Sequence, residues 1–160
     1  MDKLWAPWRE SYVQSKKDKK CIFCLAVKKA RGSQIIFKSK YSFCILNIFP
    51  YNNGHLMVAP IKHCADITLL KDEEVLDLFR SLKEAKKLLD RVLRPQGYNI
   101  GINLNDVAGA GVTGHLHIHI VPRWKGDTNF MPIIGNTKVI SQSLKELFKQ
   151  LINERKKTNI

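Results

Sequence analysis

Apolar residues recur along this chain with two different periods, and the period changes mark the elements. Residues 34–38 and 42–49 are β-branched, aromatic or apolar, with a short polar break at Ser39–Lys40, and read as a hairpin. Pro50 to Gly54 is a turn, and residues 55–60 form a third strand ending at Pro60. Val75, Leu76, Phe79, Leu82, Leu89 and Val92 then recur at three- and four-residue steps, which predicts an amphipathic helix over 72–93 terminated by Pro95 and Gly97. Residues 98–104 form a fourth strand, 107–114 a glycine-bearing loop, and 115–121 a fifth strand ended by Pro122. A last helix spans about 141–154, with Leu144, Leu147, Phe148, Leu151 and Ile152 on one face. Residues 5–17 suit a short helix, with Pro7 in its first turn, and residues 22–30 a turn or two of helix before Gly32 and Ser33 break the chain. Hairpin-linked strands with segregated helices predict an α+β fold built on one antiparallel sheet. The length of 160 residues favours a single domain, 1–160, with 1–20 as an N-terminal extension.

Composition narrows the class. Hydrophobic residues at 44% and charged residues at 26% describe a soluble globular chain. No apolar run approaches the roughly 20 residues needed to cross a bilayer. The start, Met1 to Lys20, is too polar for a secretory signal, so a cytoplasmic location and no membrane partner are expected. A net charge of +13 would suit a polyanion. Its obvious runs, Lys16–Lys20 and Arg155–Lys157, lie near the ends as solvated segments do, and no nucleic-acid-binding signature accompanies them. The charge is therefore taken as support for a small anionic substrate rather than for nucleic acid.

Four cysteines occur: Cys21, Cys24, Cys44 and Cys64. The C-x-x-C spacing of Cys21 and Cys24 suits a metal knuckle or a redox pair. The lack of a preceding apolar strand disfavours a thioredoxin-like role. Cys44 falls in an apolar strand, as a small core residue would.

The informative segment is His115-Leu116-His117-Ile118-His119-Ile120-Val121. Side chains alternate along a strand, so the three histidines share one face and Leu116, Ile118 and Ile120 enter the core on the other. Packing does not call for three imidazoles in a row. A solvent-facing strand or a metal site made by the strand alone are the bland readings. Converging imidazoles suit phosphate chemistry better, which needs a nucleophile with donors beside it.

This segment resembles the His-x-His-x-His signature of the histidine triad (HIT) superfamily. Gly54-His55-Leu56-Met57-Val58-Ala59-Pro60-Ile61-Lys62-His63 resembles the family's Gly-His strand, and Cys21–Cys24 its zinc knuckle. Leu4-Trp5-Ala6-Pro7-Trp8-Arg9, Ala108 to Gly114 and Pro122 to Phe130 resemble one bacterial branch of the family, which includes diadenosine tetraphosphate phosphorylases (ATP adenylyltransferases). The resemblance implies an α+β HIT-like fold that dimerises through its sheet, with the long helix near the interface. It implies that His117 is the nucleophile, attacking an α-phosphorus, and that His119 donates to the leaving oxygen. It implies a structural zinc held by Cys21, Cys24, His63 and His115, with Cys64 pointing away. For the nucleotide it implies Asn47 at the ribose, Ile45 and Phe49 near the base, and Asn103 or Asn105 at the α-phosphate. Gly111 and Thr113 would stand in the phosphate loop, where Val112 departs from the family's polar residue. His55 reads equally as a hydrogen-bonded structural histidine or a substrate contact, and Arg123, Trp124 and Lys125 as a positive rim or part of an interface. The implied substrates are a diadenosine polyphosphate, its AMP, ADP or ATP products, and orthophosphate. Water is the alternative acceptor, since the third histidine is kept, as in several hydrolases of the family.

Overall fold

The structure, a computed structural model, describes residues 21–29, 32–128 and 139–158. The expected helix over 5–17, the Leu4–Arg9 segment and the last two residues of the Pro122–Phe130 segment lie outside these. Helix α1 spans Ile22–Lys28 and the strands are β1 (Ile35–Lys38), β2 (Ser42–Leu46) and β3 (Leu56–Pro60). A single 3₁₀ turn, Ile67–Leu69, leads into helix α2 (Asp72–Leu93), followed by β4 (Gly97–Ile102), β5 (Ile118–Arg123) and helix α3 (Leu144–Thr158). The five strands form one antiparallel sheet in the order β1-β2-β3-β5-β4. This is the α+β architecture the pattern predicted.

The period of two gives the sheet two different faces. Cys44, Leu46, Leu56, Val58, Ile118 and Ile120 point toward α2 and α3 and join the main core with Leu78, Leu82, Leu88, Leu89, Leu147 and Leu151. Removing one such leucine to alanine would cost about 2–5 kcal/mol. The opposite face carries Phe43, Ile45, Met57 and Ala59, which pack against Phe23 of α1. Across that face one row runs through four strand pairs: Ile35, Ile45, Met57, His119 and Gly101.

Helix α2 has the predicted bounds and keeps part of the predicted stripe, with Leu82 and Leu89 buried and Val92 packed on the core. Leu78, Ser81, Leu82, Ala85, Leu88 and Leu89 are buried, whereas Leu76 and Phe79 are about half exposed. Both sets recur at helical spacing, and only the position of the sheet decides between them. The helix begins with three acidic residues, which favour a helix N-terminus. The Glu74 carboxylate takes the Lys71 N–H at 2.8 Å. It ends on Arg94, in the left-handed region at φ 47°, ahead of Pro95. Gly97 therefore opens β4 instead of ending the helix.

Several strand and helix bounds differ from expectation. β2 stops at Leu46 and β4 at Ile102, and α3 starts and ends later than 141–154. β5 starts at Ile118 because the preceding backbone is engaged elsewhere: Leu116 N–H bonds the Cys64 carbonyl at 2.6 Å. Pro122 does not end β5 but lies inside it, paired with Tyr98. Its missing N–H costs nothing there, because β3 has already stopped at Leu56, opposite Ile120. The Pro122 carbonyl instead accepts from Asn52 Nδ2 at 3.1 Å.

Candidate active site and metal centre

His115, His117 and His119 line up as the alternation predicted, and each is at least nine-tenths buried. Backbone groups that can play only one role fix their proton positions. His115 Nε2 lies 2.8 Å from the Pro60 carbonyl, so it carries the proton and leaves Nδ1 as a lone pair. His117 Nδ1 lies 2.8 Å from the His115 carbonyl, so it too is the protonated nitrogen, and the lone pair sits on Nε2. No hydrogen bond joins the Nε2 of His117 or of His119 to another described residue. The two rings meet edge-on with centroids 4.8 Å apart.

Burial sets the charge state. It pushes His117 below the ordinary imidazole range, against the His115 carbonyl bond that pulls it up. His119 falls to about 4 through burial and the neighbouring His117. His55, wholly buried, falls to about 3 by burial and the same imidazole neighbours. These rings are neutral near pH 7, so His117 presents a lone pair without needing a base.

The knuckle forms beside this row. Cys21, Cys24, His63 and His115 place their ligand atoms within 4.8 Å of one another and could hold a metal ion. The His115 lone pair on Nδ1 faces Cys21 Sγ at 3.2 Å, Cys24 Sγ at 3.6 Å and His63 Nδ1 at 3.3 Å, and Cys24 Sγ lies 3.3 Å from His63 Nδ1. Cys64 is buried in the main core, away from the knuckle, and Cys44 is fully buried, with its thiol pushed up by desolvation. Phe23, inside the C-x-x-C, is 1% exposed and lays its ring against His115 and His117, at 5.1 and 5.0 Å between centroids. The sequence offered no cue to this contact beyond the aromatic residue between the two cysteines.

The remaining candidates divide. Ile45 lies on the histidine face, two strands from His119, whereas Phe49 stands partly exposed after β2. Asn47 is buried, its carboxamide oxygen taking the Phe49 N–H at 2.9 Å and its nitrogen reaching His55 Nδ1 at 3.1 Å. Asn103 stands beside Gly109, at the start of the glycine loop. Asn105 instead shapes the loop, in the left-handed region at φ 66°, with its carbonyl taking the Ala110 N–H. The loop runs on to Gly114, which lies beside His63, so Gly111 and Thr113 sit exposed on the stretch between Asn103 and the knuckle. Val112 packs into the Phe23 cluster. Gly101 pairs with His119, and a Cβ there would meet nothing within 4 Å, so the face beside His119 is open.

Arg123 closes a turn. Its guanidinium bonds both Asp127 oxygens, at 2.6 and 2.8 Å, and Asn99 Oδ1 at 2.6 Å. Lys125 N–H bonds Gln96, and Trp124 N–H bonds Asp127. A recess of about 280 Å³ lined by Tyr51, Asn99, Val121, Arg123 and Thr128 opens at this corner.

Comparison with known proteins decides the family. The model of the HIT domain matches residues 28–126. The chain belongs to the HIT domain family. A relative in Mycobacterium tuberculosis named AP-4-A phosphorylase is 35% identical over 96% of this chain and 84% of its own. A Schizosaccharomyces pombe relative named bis(5'-nucleosyl)-tetraphosphatase (asymmetrical) is 34% identical over 60% of this chain and 52% of its own. Among solved HIT structures, a Zn-bound histidine triad family protein from Mycobacterium smegmatis superposes with a TM-score of 0.70 at 26% identity, covering 87% of this chain and 95% of that one. This HIT chain thus has both phosphorylase and hydrolase relatives that process dinucleoside polyphosphates. No helix among its described residues is long and apolar enough to cross a membrane.

Proposed function

We propose that this HIT protein cleaves diadenosine tetraphosphate, or a related dinucleoside polyphosphate, through a nucleotidyl-His117 intermediate, with orthophosphate as acceptor and ATP and ADP as products. One observation carries the reading: His117 Nδ1–H is pinned on the His115 carbonyl, so a neutral Nε2 lone pair stands free beside His119. That lone pair forms the P–N bond at the α-phosphorus as the bond to the bridging oxygen breaks. Nδ1–H keeps its proton, and the carbonyl steadies the charge gained by the ring. His119 donates a hydrogen bond to the departing oxygen. Asn103, Gly111 and Thr113 are the phosphate contacts that the loop's course supports best. Ile45 lies within reach of the base on the same face, and Asn47 remains the ribose residue the resemblance implies. Orthophosphate then attacks the intermediate and frees His117.

Hydrolysis is the second reading, supported by the retained His119 and by the tetraphosphatase relative. The nucleotidyl-histidine separates cleavage from acceptor choice, so one experiment distinguishes the two. Diadenosine tetraphosphate is cleaved with and without orthophosphate and the products are identified. Phosphate should accelerate turnover and shift products from AMP plus ATP to ADP plus ATP. Persistent AMP at saturating phosphate would make the enzyme a hydrolase. Arsenate should replace phosphate and yield AMP once its unstable adduct hydrolyses.

The knuckle suits zinc. Tetrahedral zinc separates two nitrogen ligands by about 3.3 Å and a nitrogen from a sulfur by about 3.5 Å, given bonds of about 2.0–2.1 and 2.3 Å. Four of the six donor spacings, 3.2 to 3.6 Å, fit, and all six lie within 4.8 Å. His115 donates its other N–H to a backbone carbonyl, as metal-bound histidines do. With four protein ligands such a zinc is structural and ties α1 to the histidine segment. A homodimer and a cytoplasmic location complete the proposal. The edge of β4, unpaired among the described residues, and the exposed Ile100, Leu76 and Phe79 support the dimer.

A further inference from the structure

We infer that His55 fixes the tautomer of His119, so that His119 presents an N–H, and not a lone pair, to the leaving group. The consequence for catalysis rests on the nucleotidyl-His117 reading; the hydrogen-bond relay does not. The relay starts in the turn between β2 and β3. Tyr51 N–H lies 3.1 Å from His55 Nδ1, and a backbone N–H can only donate. Asn47 Nδ2 lies 3.1 Å from the same nitrogen and 3.4 Å from His55 Nε2. The orientation of that carboxamide is set by its oxygen, which takes the Phe49 N–H. The Tyr51 N–H therefore claims the His55 Nδ1 lone pair, with Asn47 Nδ2 nearer to that nitrogen than to Nε2, and a neutral His55 must carry its proton on Nε2.

His55 Nε2 lies 2.9 Å from His119 Nδ1. His55 donates and His119 accepts, which places the proton of neutral His119 on its own Nε2. The reverse order would aim the Tyr51 and Asn47 N–H groups at a third N–H in a fully buried spot, leaving donors without acceptors. Tyr51 covers both rings, at 4.6 Å from His55 and 5.6 Å from His119, so their orientations are held as well. Burial keeps His55 neutral, so it acts as a fixed donor and acceptor and not as an acid.

The chemistry depends on this direction. When the bond from the α-phosphorus to the bridging oxygen breaks, its electron pair stays on that oxygen. His119 Nε2–H stabilises the growing charge by a hydrogen bond, and the proton remains on the ring. The other tautomer would set a lone pair against it. His55 touches no reacting atom in this scheme and is a positioning residue.

The test has a structural arm and a kinetic arm. In protein labelled with ¹⁵N-histidine, NMR reads which nitrogen of each ring is protonated, and a ¹⁵N–¹⁵N coupling across the hydrogen bond identifies the donor. We expect the proton on His55 Nε2, coupled to an unprotonated His119 Nδ1. A proton on His119 Nδ1, or no coupling between the rings, would overturn the inference whatever the enzyme's reaction. In the kinetic arm, His55→Phe should slow cleavage of diadenosine tetraphosphate about tenfold or more, since a lost donor to a developing oxyanion costs up to roughly 10²–10³. It should largely spare the p-nitrophenyl ester of AMP, whose leaving group carries its own charge well. His55→Gln, with an amide N–H near the place of Nε2, should restore most of the rate. Equal losses on both substrates, or no rescue by Gln, would overturn the positioning role. Absence of any nucleotidyl-enzyme in the wild type would instead reject the underlying reading, with the NMR result standing by itself.

Discussion

Phe23→Leu separates two roles of the knuckle, holding the chain together and aiming the nucleophile. The ring of Phe23 is buried against Phe43, His115 and His117, with centroids 6.2, 5.1 and 5.0 Å away. Leucine keeps most of the buried apolar volume and removes the three ring contacts. Each such contact is worth about 0.5–1.5 kcal/mol beyond its area, so losing all three should lower stability by about 1.5–4.5 kcal/mol. If one contact of this size orients His117, its loss alone lowers the rate up to about tenfold, because 1.4 kcal/mol is a factor of ten. Urea unfolding gives the first quantity, and kcat on diadenosine tetraphosphate under conditions where the variant stays folded gives the second. KM should change little, since Phe23 is 1% exposed and offers the nucleotide almost no surface. A variant that loses the predicted stability yet keeps wild-type kcat would refute the coupling and leave the knuckle a purely structural tie.

Three further outcomes follow from the same geometry. Elemental analysis should find about one zinc per chain, and Cys21→Ser should lose both the metal and thermal stability; carefully prepared protein free of metal would contradict this. His55 and His119 titrate near 3 and 4 when folded but near 6.5 when unfolded, so the unfolded chain binds more protons in acid. Stability is fully present above pH 6.5 and declines as pH falls toward 4, and the urea midpoint should drop over that window and drop less in His55→Phe; a flat midpoint would show that these rings are not held neutral. Light scattering should give a dimer mass that Ile100→Glu on β4 reduces to a monomer, and a monomer at every concentration would exclude the sheet-joined assembly.

Local periodicity made much of this molecule legible. Alternation placed the three histidines on one face and Leu116, Ile118 and Ile120 on the other, and the structure keeps that division. Helix α2 has the expected ends because its acidic start and Pro95 are local signals. Its buried face was legible only in part: Leu82 and Leu89 are buried as expected, whereas Leu76 and Phe79 give way to Leu78, because both lines recur at helical spacing until the sheet chooses. The strand over 115–121 shifted because Cys64, far away in sequence, claims the Leu116 N–H. The cysteine pair of the knuckle was readable from its C-x-x-C spacing, His63 and His115 were implied by the family resemblance, and the four ligands do converge. What spacing could not reveal were the contacts made across the turn after β2, where Asn47, Tyr51 and His55 meet His119. These depend on which nitrogen each backbone group faces, and no pattern of residue types encodes that.

The central claim is the covalent role of His117, and the most direct measurement is to trap the intermediate. The enzyme is mixed with diadenosine tetraphosphate, quenched within the first turnover and digested under conditions that preserve phosphoramidates, and the modified peptide is located by mass spectrometry. One adenylyl group is expected on His117, lost on adding phosphate, and absent from His117→Asn, which still binds nucleotide but does not turn over. An adduct on another residue, or wild-type turnover by His117→Asn, would contradict it.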